Sequence, residues 1–138
     1  MIITDDPEQI RRVLLASKTV AVVGCSPRPG RDSHGVAKYL IGKGYDVVPV
    51  NPAAAEILGR KCYPDLRSVP KKIDIVDVFR APEHVPGVAG EAIAVRAECL
   101  WLQEGVVHEG AARRAAEAGL YVVQDRCIRV LHTVLVRQ

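Results

Sequence analysis

Aromatic side chains are scarce in this sequence: one Trp, one Phe and four Tyr among 138 residues. Basic residues are scattered along the chain and the net charge is only +3. Without a basic stripe interleaved with stacking platforms, no nucleic-acid partner is expected. No apolar run approaches the length of a membrane span, and the start, Met1-Ile2-Ile3-Thr4-Asp5-Asp6, lacks a basic segment followed by an apolar one. No membrane partner is therefore expected, and a cytoplasmic location is. The four cysteines, Cys25, Cys62, Cys99 and Cys127, show no C-x-x-C spacing. The four histidines, His34, His84, His108 and His132, form no pair at metal spacing. Neither G-x-S-x-G nor H-E-x-x-H occurs. These absences remove zinc sites, hydrolase elbows and metalloprotease helices, and leave no complete catalytic constellation and no metal ligands.

What remains is an ordinary globular composition, 49% hydrophobic and 25% charged, at a length suited to one domain over residues 1–138. Apolar runs alternate with amphipathic helical stretches. The first run, Lys18–Gly24, climbs to a glycine and breaks into Cys25-Ser26-Pro27-Arg28-Pro29-Gly30-Arg31. A helix from Ser33 to Lys43 follows. Further strands are expected at Tyr45–Val50, Ile73–Phe79, Glu98–Leu102 and Leu120–Gln124. Helices are expected from Asp6 (as N-cap) to Ser17, from Pro82 onward with Pro86 delaying the regular part, from His108 to Ala118, and from Ile128 to about Val136. Ala53–Leu58 reads as a short helix. Strand–helix alternation with short connections predicts an α/β fold: a Rossmann-like, doubly wound parallel sheet of about five strands.

Strand runs that are apolar on both faces point to a sheet covered on both sides. Asp74 and Asp77 are out of place in such a strand and are expected near its ends or on a less covered face. Trp101 reads as core. The histidines read as solvent-facing or helix-end residues, with His34 in reach of a ligand at its helix start. Asp125 serves equally well as a helix cap or as an acid.

In such a sheet the loop after the first strand lies at the carboxyl edge, where ligands bind, and the following helix offers free N–H groups to an anion. Arg28 and Arg31 add positive charge to that loop. A dinucleotide-binding turn would need a middle glycine, absent from Gly24-Cys25-Ser26-Pro27-Arg28-Pro29-Gly30, and an acid where Asn51 stands. Both departures weigh against NAD. A ligand with a pyrophosphate and a further phosphate fits better.

Several blocks in order, Val20–Arg31, Val36–Leu40, Val47–Pro52, Ile73–Pro82, Trp101–Val106 and Gln124–Ile128, resemble the small stand-alone coenzyme A-binding proteins. That family is similar to the N-terminal coenzyme A-binding domain of the succinyl-CoA synthetase α subunit. The resemblance implies coenzyme A, free or acylated, as ligand and a sheet order of 3-2-1-4-5. It implies that Gly24, Cys25, Ser26, Pro27, Arg28 and Arg31 surround the phosphates, with Ser26 as a hydroxyl donor. Val50, Asn51 and Pro52 would border the nucleotide, Phe79 and Arg80 would contact adenine or a phosphate, and Leu102, Gln103 and Glu104 would line the pantetheine side. Ala53-Ala54-Ala55 stands where the synthetase carries a lysine, so Arg28, Arg31 or Arg80 has to supply that charge. The second domain and partner subunit of the ligase have no counterpart in these residues. The expected role is a carrier, sensor or accessory protein, with a protein partner not identified. Two other readings remain open: a thiol-disulfide or acyl-transfer enzyme using Cys25, and an NAD(P)-binding module.

Overall fold

In the computed structural model, which describes residues 1–136, the apolar runs form the strands of a parallel sheet. The strands are β1 (Thr19–Val23), β2 (Asp46–Val50), the two-residue pair β3 (Glu56–Ile57) and β4 (Arg60–Lys61), β5 (Ile75–Val78), β6 (Cys99–Leu102) and β7 (Tyr121–Val123). The helices are α1 (Pro7–Ala16), α2 (Asp32–Gly42), α3 (Val85–Ala94), α4 (Glu109–Glu117) and α5 (Ile128–Leu135). Asp6 caps α1 by accepting the Gln9 N–H at 3.2 Å, with Pro7 at the first helical position. A 3₁₀ turn, Pro82–His84, precedes α3, as Pro86 foretells.

The main sheet runs β2-β1-β5-β6-β7, every pair parallel. The doubly wound α/β class is therefore as expected, but the order is not. Counting only main-sheet strands it reads 2-1-3-4-5, where 3-2-1-4-5 was implied. The connection from β2 to β5 explains the difference. It carries no α-helix, only the β3-β4 hairpin and a 3₁₀ turn, Leu66–Ser68. Leu66, Val69 and Ile73 bury themselves among Ala21, Val23, Val48 and Val76. The chain thus crosses over β1 and delivers β5 to its far side. The winding reverses between β1 and β5, which puts the crevice of the switch point there.

Two layers of helices complete the core. Helices α1, α2 and α5 cover the face of Val20, Val22, Ile75, Cys99 and Trp101. Helices α3 and α4 cover that of Ala21, Val23, Val76, Leu100 and Leu102. Trp101 is fully buried and donates its Nε1–H to the Arg126 carbonyl at 2.8 Å, the core residue expected of it. On the outer side of β2, Tyr63 donates its N–H to the Pro49 carbonyl at 3.1 Å and accepts the Asn51 N–H at 2.9 Å. Along β7, Ile3 donates to the Val122 carbonyl and Val122 to that of Met1, at 2.8 and 2.9 Å.

Three local expectations are corrected. Ala53–Leu58 is not helical: Leu58 (φ 54°) and Gly59 (φ 73°) turn the chain back left-handedly, closing the β3-β4 hairpin. His132 is buried on α5, edge-on to Tyr39 and Tyr45, with Nδ1 2.9 Å from the Tyr39 hydroxyl; burial pulls its pKa down. Asp77 lies inside β5, level with Val22 and Trp101, and is fully buried with neither carboxylate oxygen partnered. Burial raises its pKa well above the ordinary carboxyl range. The face it occupies is covered, because α2 and α5 lie over it. Asp74 does sit before the strand, where its Oδ2 accepts the Lys18 and Thr19 N–H groups at 2.8 and 2.9 Å.

Candidate functional site

The loop after β1 starts at Gly24, held at φ 83° with its N–H on the Val50 carbonyl at 2.9 Å. A Cβ at this position would stand 2.2 Å from the Phe79 carbonyl oxygen, so the ends of β1 and β5 meet backbone to backbone. Beyond it the loop ties itself down. Ser26 donates its N–H to Ser33 Oγ at 2.9 Å, and Arg28 donates its N–H to Ser26 Oγ at 3.1 Å. Arg31 occupies the N-cap position of α2, where no side chain caps the helix. The first-turn N–H groups are left open to a ligand, as helix geometry requires.

A cleft of about 600 Å³ opens between the N-terminal turns of α2 and α5, walled by Arg31, Gly35, Phe79, Gln103, Cys127 and Arg129. A second hollow of about 280 Å³ adjoins it, with Gly24, Ser26, Ser33, Arg80 and Val106. Arg31, Asp32, Phe79, Gln103 and Glu104 belong to both. The two form one trough along the carboxyl edge. Among the described residues Arg28, Arg31, Arg80 and Arg129 take part in no ion pair, whereas Arg12, Arg60 and Arg126 each face a carboxylate. Asp32 and Glu104 temper this positive charge on the same walls.

Of the residues expected at the site, Gly24, Ser26, Arg31, Phe79, Arg80, Gln103 and Glu104 converge on the trough. Pro27 and Arg28 are exposed at the loop tip, off its walls. Val50 and Pro52 line a separate hollow of about 80 Å³ together with Arg80. Asn51 ties the loop in place: its Nδ2 donates to the Cys25 carbonyl at 2.9 Å, and its Oδ1 accepts the Ala53 N–H at 2.8 Å in an Asx turn. Leu102 is fully buried. Gln103, 5% exposed, uses its Oε1 to accept the Ile128 N–H at 3.0 Å and so caps α5. Asp125 does not cap that helix; it accepts the Gly105 N–H at 2.7 Å and joins two loops.

Cys25 is fully buried under the loop. Desolvation, then the proximity of Cys62 and Asp77, pushes its thiol up to about 12. A thiol in that state is a poor nucleophile at neutral pH. Cys127, half-buried at the N-cap of α5, is the cysteine that reaches the cleft wall. Ser33 and Arg129 also border the trough without having been singled out. A hydroxyl in the first turn after the loop was a legible signal for Ser33. Arg129 had none, because only the packing of α5 beside α2 brings it there. Alkylation under native conditions is expected to label Cys127 while sparing Cys25, Cys62 and Cys99; peptide mass spectrometry reads the sites, and prompt labelling of Cys25 would contradict its burial.

These features define a Rossmann-like α/β protein with an arginine-bordered trough at its switch point. The chain belongs to the family described as CoA binding domain, whose sequence profile matches residues 18–133. The resemblance drawn from the sequence blocks is thereby shown. The chain is 44% identical to the uncharacterized protein YneT of Bacillus subtilis (strain 168), over 91% of this chain and 93% of that protein. A hypothetical protein from Pyrococcus horikoshii OT3 superposes with a TM-score of 0.92 at 43% identity, covering 95% of this chain and 92% of that one. The ADP-forming acetate–CoA ligase I of Archaeoglobus fulgidus is 35% identical over 56% of this chain, a stretch that is only 11% of the ligase. No helix among the described residues is long and apolar enough to cross a membrane.

Proposed function

We propose that the protein binds coenzyme A, free or acylated, in the trough between β1 and β5, as a carrier, sensor or accessory protein without ligase chemistry of its own. One observation carries the reading: the uncapped N-terminus of α2 and the ion-pair-free Arg31 and Arg80 meet at one mouth. A helix N-terminus and guanidinium groups both select phosphate oxygens. The pyrophosphate then lies at the first turn of α2. The pantetheine arm, apolar with two amides, runs into the larger cleft past Phe79 and Gln103. Membership in a coenzyme A-binding family supports the same ligand. The acetate–CoA ligases share only a fragment of their length with this chain, so acyl activation is not part of the proposal. A nucleophilic role for Cys25 finds no support in a buried thiol whose pKa is pushed up to about 12.

Calorimetric titration with coenzyme A, NAD and NADP tests the reading, and tighter binding of NAD than of coenzyme A would end it. Charge reversal localises the ligand. Arg31→Glu and Arg80→Glu are each expected to weaken coenzyme A binding by about 10-fold or more, the scale of a charge-assisted hydrogen bond. Their unfolding midpoints should match the parent. Arg28→Glu, at the exposed tip, is expected to weaken binding by less. If all three variants bind as the parent does, the phosphates lie elsewhere.

A further inference from the structure

Ser33 has incomplete hydrogen bonding. It is the second residue of α2, is only 6% exposed, and borders the smaller hollow of the trough. Its Oγ accepts the Ser26 N–H, and Ser26 Oγ accepts the Arg28 N–H. A serine hydroxyl offers one donor and two acceptor sites. In both serines a backbone N–H already takes one acceptor site, and among the described residues neither O–H has an acceptor. Two hydroxyl protons are thus left to a group outside the protein. A buried donor is costly to leave unmatched, which makes Ser33 the more demanding of the two.

We infer that Ser33 is a ligand-binding residue: its lone pair anchors the loop through Ser26, and its O–H donates to a pyrophosphate oxygen of coenzyme A. The inference rests on the coenzyme A reading and deepens it. An ionised phosphate oxygen only accepts, which matches the donors gathered here: two hydroxyls, the first-turn N–H groups, Arg31 and Arg80. Asp32 and Glu104 stand on the same wall, so the anion is held where these donors outnumber the two carboxylates. In doubly wound sheets the pyrophosphate takes the helix N-terminus, which is where Ser33 stands. The serine thus couples loop shape to ligand contact through one oxygen.

Calorimetry and ³¹P NMR on the parent, Ser33→Ala and Ser33→Thr test this. Ser33→Ala is expected to bind coenzyme A about 10-fold more weakly, and to move the pyrophosphate resonances of the bound ligand while leaving its 3′-phosphate resonance in place. Ser33→Thr keeps the hydroxyl and is expected to bind as the parent does. Parental affinity in Ser33→Ala, or coincident pyrophosphate resonances in the two complexes, would overturn the role of Ser33. So would a Ser33→Thr variant that unfolds at the parental midpoint yet binds as weakly as Ser33→Ala. Absence of binding by the parent itself is a different result, and counts against the coenzyme A reading rather than against this residue.

Discussion

Gly24→Ala is expected to lose about 2–5 kcal/mol of stability and coenzyme A binding with it. Two costs combine. A residue with a Cβ in the left-handed region costs about 1–2 kcal/mol, and Gly24 sits at φ 83°. Overpacking adds about 1–3 kcal/mol. Here the Cβ would stand 2.2 Å from the Phe79 carbonyl oxygen and 3.0 Å from its carbonyl carbon. Backbone cannot swing aside as a side-chain tip would, so the ends of β1 and β5 have to part. Against a total of roughly 5–15 kcal/mol for a domain, the loss is large. Urea unfolding followed by circular dichroism measures it. A variant that unfolds at the parental midpoint would mean that the two strand ends separate freely, and that the trough is not braced at Gly24.

The second large effect has the opposite sign. Asp77→Val is expected to raise stability at neutral pH by at least about 1 kcal/mol: a buried polar group left without partners costs about 1–3 kcal/mol, and a pH-linked part adds to it. Val is close to Asp in size and native to strands. The pH dependence follows from linkage. In the unfolded chain Asp77 releases its proton near pH 4, whereas burial makes it hold the proton to higher pH in the folded protein. Between those two values the native state holds more protons than the unfolded one. This residue's contribution therefore makes the parent less stable as pH rises, by up to about 1.4 kcal/mol per pH unit, from about pH 4 to the raised folded pKa. Below pH 4 this proton-linked part vanishes, and the cost of the unpartnered neutral carboxyl remains. The Val variant lacks that slope, so the gap between the two stability curves should be smallest in acid and widen toward neutrality. Parallel curves from pH 4 to 8 would show that Asp77 ionises in the folded state after all.

Asp77 also marks where sequence patterning stops informing. Each of the five main-sheet strands lies within two residues of its expected ends, because runs such as Thr19–Val23 and Cys99–Leu102 are apolar on both faces and bounded by Gly, Pro or polar residues. A lone acid in such a run suggests an open face. Nothing near Asp77 in sequence reveals that α2 and α5 close over it. The strand order implied by the resemblance failed at the β2–β5 connection: residues 51–74 form no α-helix, and their path across β1 is set by where Leu66 and Val69 find apolar cover. The candidate site was legible where residues of the strand-end loops line the trough directly, as with Gly24, Ser26, Arg31 and Arg80. It was illegible where contact depends on packing between distant helices, which is how Arg129 and Cys127 arrive.

The two borders of the sheet leave little for another chain to pair with. At the β2 border Pro49 has no N–H to offer, its carbonyl is taken by Tyr63, and the next donor, Asn51, is spent on the same residue. At the β7 border the segment Met1–Ile3 occupies both the donor and the acceptor of Val122, leaving that rim under a bridge between Ile2 and Val122. Such closure works against edge-to-edge aggregation. It also disfavours a partner, including a second copy of the chain, that would extend the sheet at Pro49 or Val122.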